Sequence, residues 1–137
     1  MAALAIGITA AHGQNAAADA KRQDTMKVFG IAVRAPSAMA RGDVPVDLAK
    51  VRAALKSIEE TAAKAKTVFP EESSIGDTNA LPAAFKNKTD LFARFDKLAV
   101  DAKAAASAIQ DEATLKAQWP QVFSSCLSCH QQYVKRQ

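Results

Sequence analysis

The only two cysteines of the chain, Cys126 and Cys129, are separated by Leu127 and Ser128, and His130 follows the second. Thiols three residues apart on a helix share a face. Both sulfurs can therefore form thioether bonds to the two vinyl groups of one porphyrin, the attachment pattern of c-type haem. His130 lies one residue further round, a rotation of about 100°, where an imidazole nitrogen can bind iron from the proximal side. Three other chemistries fit less well. A dithiol redox pair wants a βαβ setting with the motif at a helix N-terminus, where the dipole lowers a thiol pKa. Zinc needs four ligands, and beyond these three residues the chain offers only His12 as a further histidine. A disulfide closed across two residues inside a helix would be strained.

A helix that presents such a face needs partners to cover it, and the rest of the chain supplies helical patterns. The composition is rich in alanine, with Leu, Lys, Glu, Asp and Gln and few aromatic residues, which predicts helices. A first helix reads from Asn15 to about Arg34, with Val28, Ile31 and Ala32 joining a stripe around Met26, Phe29 and Val33. Gly30, one turn beyond Met26, costs about 1 kcal/mol of helix stability. That cost makes sense where a flat ring approaches the backbone, and equally for a glycine tolerated near a helix end. Pro36 and Arg41-Gly42-Asp43-Val44-Pro45 predict a long crossing connection.

A second helix follows from about Val46 to Val68, with Leu48, Val51, Leu55, Ile58, Ala62 and Ala65 at three- and four-residue intervals and Phe69-Pro70 closing it. The stretch from Glu71 to Pro82 reads as a loop. A third helix runs from about Ala83 to Ile109 on a stripe of Phe85, Leu91, Phe92, Phe95, Leu98, Ala102, Ala105 and Ile109. Asp111-Glu112 place negative charge at the start of a fourth, which reaches about Lys135 with Leu115, Val122, Phe123 and the cysteines on one side. Pro120 predicts a kink or break in it near Ala117 to Trp119. Four long amphipathic helices make an all-α four-helix bundle, whose interior is a usual place for a cofactor.

At 137 residues the chain is one domain with a single core. The net charge of +4 is spread without a run of like charges or a basic patch interleaved with aromatics, which argues against nucleic acid as a partner. Ala2 to Ala11 is a short apolar run ending in Ala11-His12-Gly13, small residues that suit signal-peptidase cleavage before Gln14, although no Lys or Arg precedes it. Residues 1–13 are thus expected to be a signal peptide with a truncated n-region, and 14–137 the bundle domain. The run is too short to span a bilayer, so no integral membrane segment is expected. Glu59-Glu60 and Glu71-Glu72 are adjacent rather than helically spaced and read as solvated surface; no catalytic constellation appears, and an enzyme is not expected.

A C-terminal Cys-x-x-Cys-His on the last of four helices, with Arg22-Gln23-Asp24-Thr25-Met26-Lys27 on the first, resembles the class II c-type cytochromes: cytochrome c′ and its low-spin, methionine-ligated relatives. Phe69-Pro70 and Leu81-Pro82-Ala83-Ala84-Phe85 extend the resemblance over nearly all of 14–137. It implies one haem c held through Cys126 and Cys129, His130 as proximal ligand to the iron, Arg22 and Gln23 near the haem propionates, and Met26 on the distal side. Two positions depart from the family: Phe85 stands where tryptophan is frequent, and Val134 where a basic residue commonly follows the haem histidine by one turn. Thioether attachment of haem in bacteria takes place outside the cytoplasm, which implies a periplasmic protein. Redox proteins are the implied partners, and a homodimer through the first two helices is left open.

With cleavage after Gly13, His130 is the only histidine that remains. The sixth iron position then falls to a methionine, less readily to a lysine, to an exogenous ligand or to nothing. Met26 and Met39 are thirteen residues apart, about 20 Å along a helix, so only one can reach a given metal. Met26 lies beside Gly30 and within the family element. Ligated, it raises the reduction potential and yields a one-electron carrier, the expected function. Unligated, it leaves an apolar distal face for nitric oxide or carbon monoxide, the alternative.

Overall fold

The computed structural model describes residues 6–70 and 78–136, with side chains from residue 16 onward. Five helices appear in this part: α1 (Ile6–Arg41), α2 (Leu48–Ala65), α3 (Pro82–Lys86), α4 (Lys88–Ala108) and α5 (Glu112–Tyr133), and a 3-10 turn, Lys66–Val68, extends α2. The four long ones form a bundle in a closed ring, α1 on α2, α2 on α4, α4 on α5 and α5 back on α1. That is the expected four-helix architecture. Most of the expected loop, including Glu71-Glu72, lies outside the described residues, as do residues 1–5 of the expected leader.

The α1 stripe is Arg22, Phe29, Pro36 and Met39, with Met26 and Val33 partly covered beside it, a three- and four-residue spacing. Val28 and Ile31, expected in it, are 42% and 65% exposed. The reason is the length of the helix. Pro36 does not break α1 but sits inside it, fully buried, and the register that buries Pro36 and Met39 turns Val28 and Ile31 outward. A proline in a helix interior loses one hydrogen bond and costs about 3 kcal/mol; burial of the ring against the other helices offsets this.

The helix ends five residues later, at Arg41. Gly42 adopts φ +81°, its N–H bonds Met39 C=O at 3.0 Å, and Asp43 N–H bonds Ala38 C=O at 2.9 Å. This is a Schellman cap, and a side chain at its left-handed position costs roughly 1–2 kcal/mol. Gly42→Ala is therefore expected to lower the thermal midpoint by a few degrees, with the haem site untouched. An unchanged melting curve would refute the assignment.

Asp47 then caps α2 by accepting from Lys50 N–H at 3.1 Å. The expected third helix is divided at Asn87 (φ −106°, ψ 45°) into α3 and α4. Asp111 and Thr114 close a reciprocal capping box on α5, and α5 then continues unbroken past Pro120, where a kink or a break was expected. Pro120 faces solvent, while its neighbour Trp119 is buried and donates its indole N–H to Ser37 Oγ at 3.0 Å. That hydrogen bond ties this stretch of α5 to α1.

The core runs through Val51, Leu55 and Ile58 of α2, Leu91 and Ile109, and Leu115 of α5, all nearly inaccessible. Leu91, Phe95 and Leu98 on α4 belong to this core and also line a cavity. Beyond α5 the chain turns back on residues 79–81: Leu81 N–H bonds Tyr133 C=O at 2.8 Å, and Lys135 N–H bonds Asn79 C=O at 2.9 Å. This short antiparallel bridge fixes one rim of the cavity.

Candidate haem site

A cavity of about 660 Å³ opens between α1, α4, α5 and residues 78–80, within the usual size of cofactor sites. Its walls are mainly apolar side chains. Cys126, Cys129 and His130 reach it from α5, Met26 and Gly30 from α1. The two cysteines are half-buried thiols with no disulfide between them. Burial pushes both thiols above their ordinary pKa. They also sit in the last turns of α5, near its negative end. Both facts run against a thiolate redox pair, which needs a depressed pKa. Among the described residues no group of three or more His, Cys, Asp or Glu gathers to hold a metal such as zinc.

The two methionines separate. Met26 lines the cavity, whereas Met39 is buried at the end of α1, where Asp47 N–H points at its sulfur from 3.4 Å. Gly30 has open space where a Cβ would stand, with nothing within 4 Å, so this stretch of α1 offers bare backbone to whatever fills the cavity. A flat aromatic macrocycle fits these walls: apolar faces, two thiols at i and i+3, an imidazole beside them and a thioether on the opposite helix.

Arg22 and Gln23 line the same cavity and are gathered by Asp19. Arg22 is only 4% exposed. Its terminal nitrogens reach Asp19 Oδ1 at 3.1 Å and Val68 C=O at 3.2 Å, and its guanidinium stacks 5.7 Å from the Phe69 ring and 5.2 Å from that of Phe85. Gln23 Nε2 donates to Asp19 Oδ2 at 2.7 Å, and Thr78 Oγ1 donates to Oδ1 at 2.6 Å. Asp19 was not singled out in the sequence, although it lies three residues before Arg22 and four before Gln23, a helical spacing that could have revealed it.

Burial alone would raise the Asp19 carboxyl, but hydrogen bonds from Thr78, Gln23 and Arg22 outweigh it and hold the group below the usual carboxylate range. Its contribution to stability is therefore complete above that range and is lost as pH falls through the lowered folded value. Asp19→Ala is expected to cost about 1–3 kcal/mol at neutral pH, because Thr78, Gln23 and Arg22 lose the acceptor they share. The cost should shrink in acid, at roughly pH 2. Urea unfolding of parent and variant at both pH values measures it, and a pH-independent difference would exclude the carboxylate as the cause.

Two further cavity residues, Arg94 and Tyr133, and the carboxylate they share, Asp90, also escaped notice in the sequence. Asp90 Oδ2 accepts from Arg94 Nε at 2.7 Å and, closer still, from the Tyr133 hydroxyl, and the Arg94 guanidinium lies 5.7 Å from the Tyr133 ring centre. Arg94 stands on the α4 stripe, three residues after Leu91 and four before Leu98, a charge among apolar positions that could have marked it.

A family model described as Cytochrome C' matches residues 17–134. The chain belongs to the cytochrome c′ family. Among curated relatives, a cytochrome c′ of Rhodopseudomonas palustris is 37% identical over 115 residues, 83% of this chain and 79% of that one. A cytochrome c-556 of Agrobacterium fabrum is 34% identical over 134 residues, 96% and 91% of the two chains. The solved cytochrome c′ from Rhodopseudomonas palustris superposes with a TM-score of 0.84 at 36% identity, covering 88% of this chain and 97% of that one. Members of the cytochrome c′ family carry covalently bound haem c with its iron, and this chain has the two cysteines for it. Membership also makes the chain a haem protein of the electron-carrying or gas-binding kind. No helix among the described residues is long and apolar enough to cross a membrane.

Proposed function

We propose that this chain is a periplasmic one-electron carrier whose single haem c is attached through Cys126 and Cys129, with His130 as proximal ligand and Met26 as the sixth ligand. The observation that carries this reading is that Met26, and not Met39, lines the cavity shared by both cysteines and His130. Bound haem supplies reversible one-electron chemistry at iron. The chain does the rest. Cys126 and Cys129 would hold the macrocycle, His130 and Met26 would bind its iron, and Arg22 and Gln23, which line the same cavity, would take the propionates. The apolar walls exclude water, which stabilises the less charged metal state. Redox proteins are the partners of such a carrier, and no catalytic role is assigned. Residues 1–13 are an export signal on this reading, testable by N-terminal sequencing of the mature protein.

An optical spectrum tests the ligation. Low-spin bands in both oxidation states, with a weak far-red sulfur-to-iron band in the ferric form, agree with it. High-spin bands in both states overturn it. They would favour the second reading, a five-coordinate gas binder in which Met26 only packs over the iron. A specific feature speaks for that reading: Phe29 and Val33 make the α1 wall around Met26 apolar, a pocket suited to nitric oxide or carbon monoxide.

A further inference from the structure

One charged cluster at the cavity has no part in the function proposed above. Arg94 lines the same cavity as Cys129, His130 and Tyr133. It is held in place from two sides: its Nε–H is committed to Asp90 and its guanidinium faces the Tyr133 ring. Tyr133, 3% exposed, donates its hydroxyl to the same carboxylate oxygen, and it lies one turn after Cys129 on α5. The α5 face that carries His130 continues at Val134, an apolar residue that also lines the cavity. The cation on this side is thus brought by α4. Lys97, the other α4 cation at the cavity, is paired with Asp101.

We propose that Arg94, positioned by Asp90 and Tyr133, sets the balance between the oxidised and reduced iron, its positive charge favouring the reduced state and the Asp90 carboxylate partly offsetting it. The inference rests on the haem reading above. A reduced ferric centre has gained one negative charge, so a nearby cation lowers its free energy and an anion raises it. Arg94 is two-thirds covered and Asp90 half-exposed, so the cation is the less screened of the two. Tyr133 and Arg94 hold the Asp90 carboxyl below its usual range, which keeps both charges present at neutral pH.

The test is the midpoint potential of the purified haem protein, with haem content and far-ultraviolet circular dichroism measured alongside. Arg94→Gln leaves Asp90 uncompensated and is expected to reduce the ferrous-to-ferric ratio at a fixed solution potential several-fold, up to roughly tenfold, or ~59 mV for one electron. Asp90→Asn leaves Arg94 uncompensated and is expected to move the ratio the other way by a smaller factor. The double variant returns close to the parent, and Arg94→Lys, which keeps the charge, stays near it. Opposite signs that cancel are the mark of charge, because loosened packing would move both single variants alike. Shifts of one sign, no shift, or a fall in Arg94→Lys as large as in Arg94→Gln overturns this inference while leaving the haem reading intact. A colourless parent overturns both.

Discussion

Serine at both Cys126 and Cys129 is expected to yield a protein whose haem leaves completely in acid acetone and whose polypeptide mass lacks the haem increment. A serine hydroxyl forms no thioether, so nothing covalent would remain, although the apolar cavity could still take up the ring reversibly. The fold should persist: both cysteines are half-buried, serine is close to them in size, and the α5 positions anchoring the helix, Leu115, Trp119 and Val122, are untouched. Each single substitution should leave one thioether and a stable colour. Retention of haem by the double variant after extraction would show that attachment lies elsewhere and would remove the basis of the proposed function.

Met26→Ala is expected to have the next largest effect. If its sulfur binds iron, the variant loses the low-spin spectrum and the far-red band together. Its reduction potential falls, within the ~0.8 V range over which axial ligands set haem potentials. Because Met26 is only partly covered, the loss of folding stability should stay below the 2–5 kcal/mol typical of a fully buried methionine. The spectral change should therefore far exceed the change in unfolding midpoint. A variant with the parent's spectrum would exclude ligation by Met26, and Met39, sealed at the end of α1, is too far along the helix to replace it.

Much of the fold was legible residue by residue. The α2 stripe from Val51 to Ala65 and the α4 stripe from Leu91 to Ile109 are buried as their spacing predicts, because a 3.6-residue period is a local property of the chain. Element ends were less legible. Pro36 and Pro120 both read as breakers, yet one is accommodated by burial in the core and the other by an outward position beside an anchored tryptophan. A proline's cost is local, but whether the fold tolerates it depends on what packs around it. Val28 and Ile31 were assigned inward for the same reason: a stripe drawn on a helix stopped at Arg34 lacks the residues that set its true orientation.

The sequence by itself pointed to the kind of chemistry, since two thiols at i and i+3 followed by an imidazole match the pattern of covalent haem attachment. It also determined that helices would surround them. Only the tertiary structure decided which methionine borders the cavity and which charges stand around it. Thr78 reaches Asp19 across 59 residues, and Tyr133 reaches Asp90 across 43. Such contacts follow from how the helices pack, and a periodicity read along one helix at a time carries no information about which residue of another will face it.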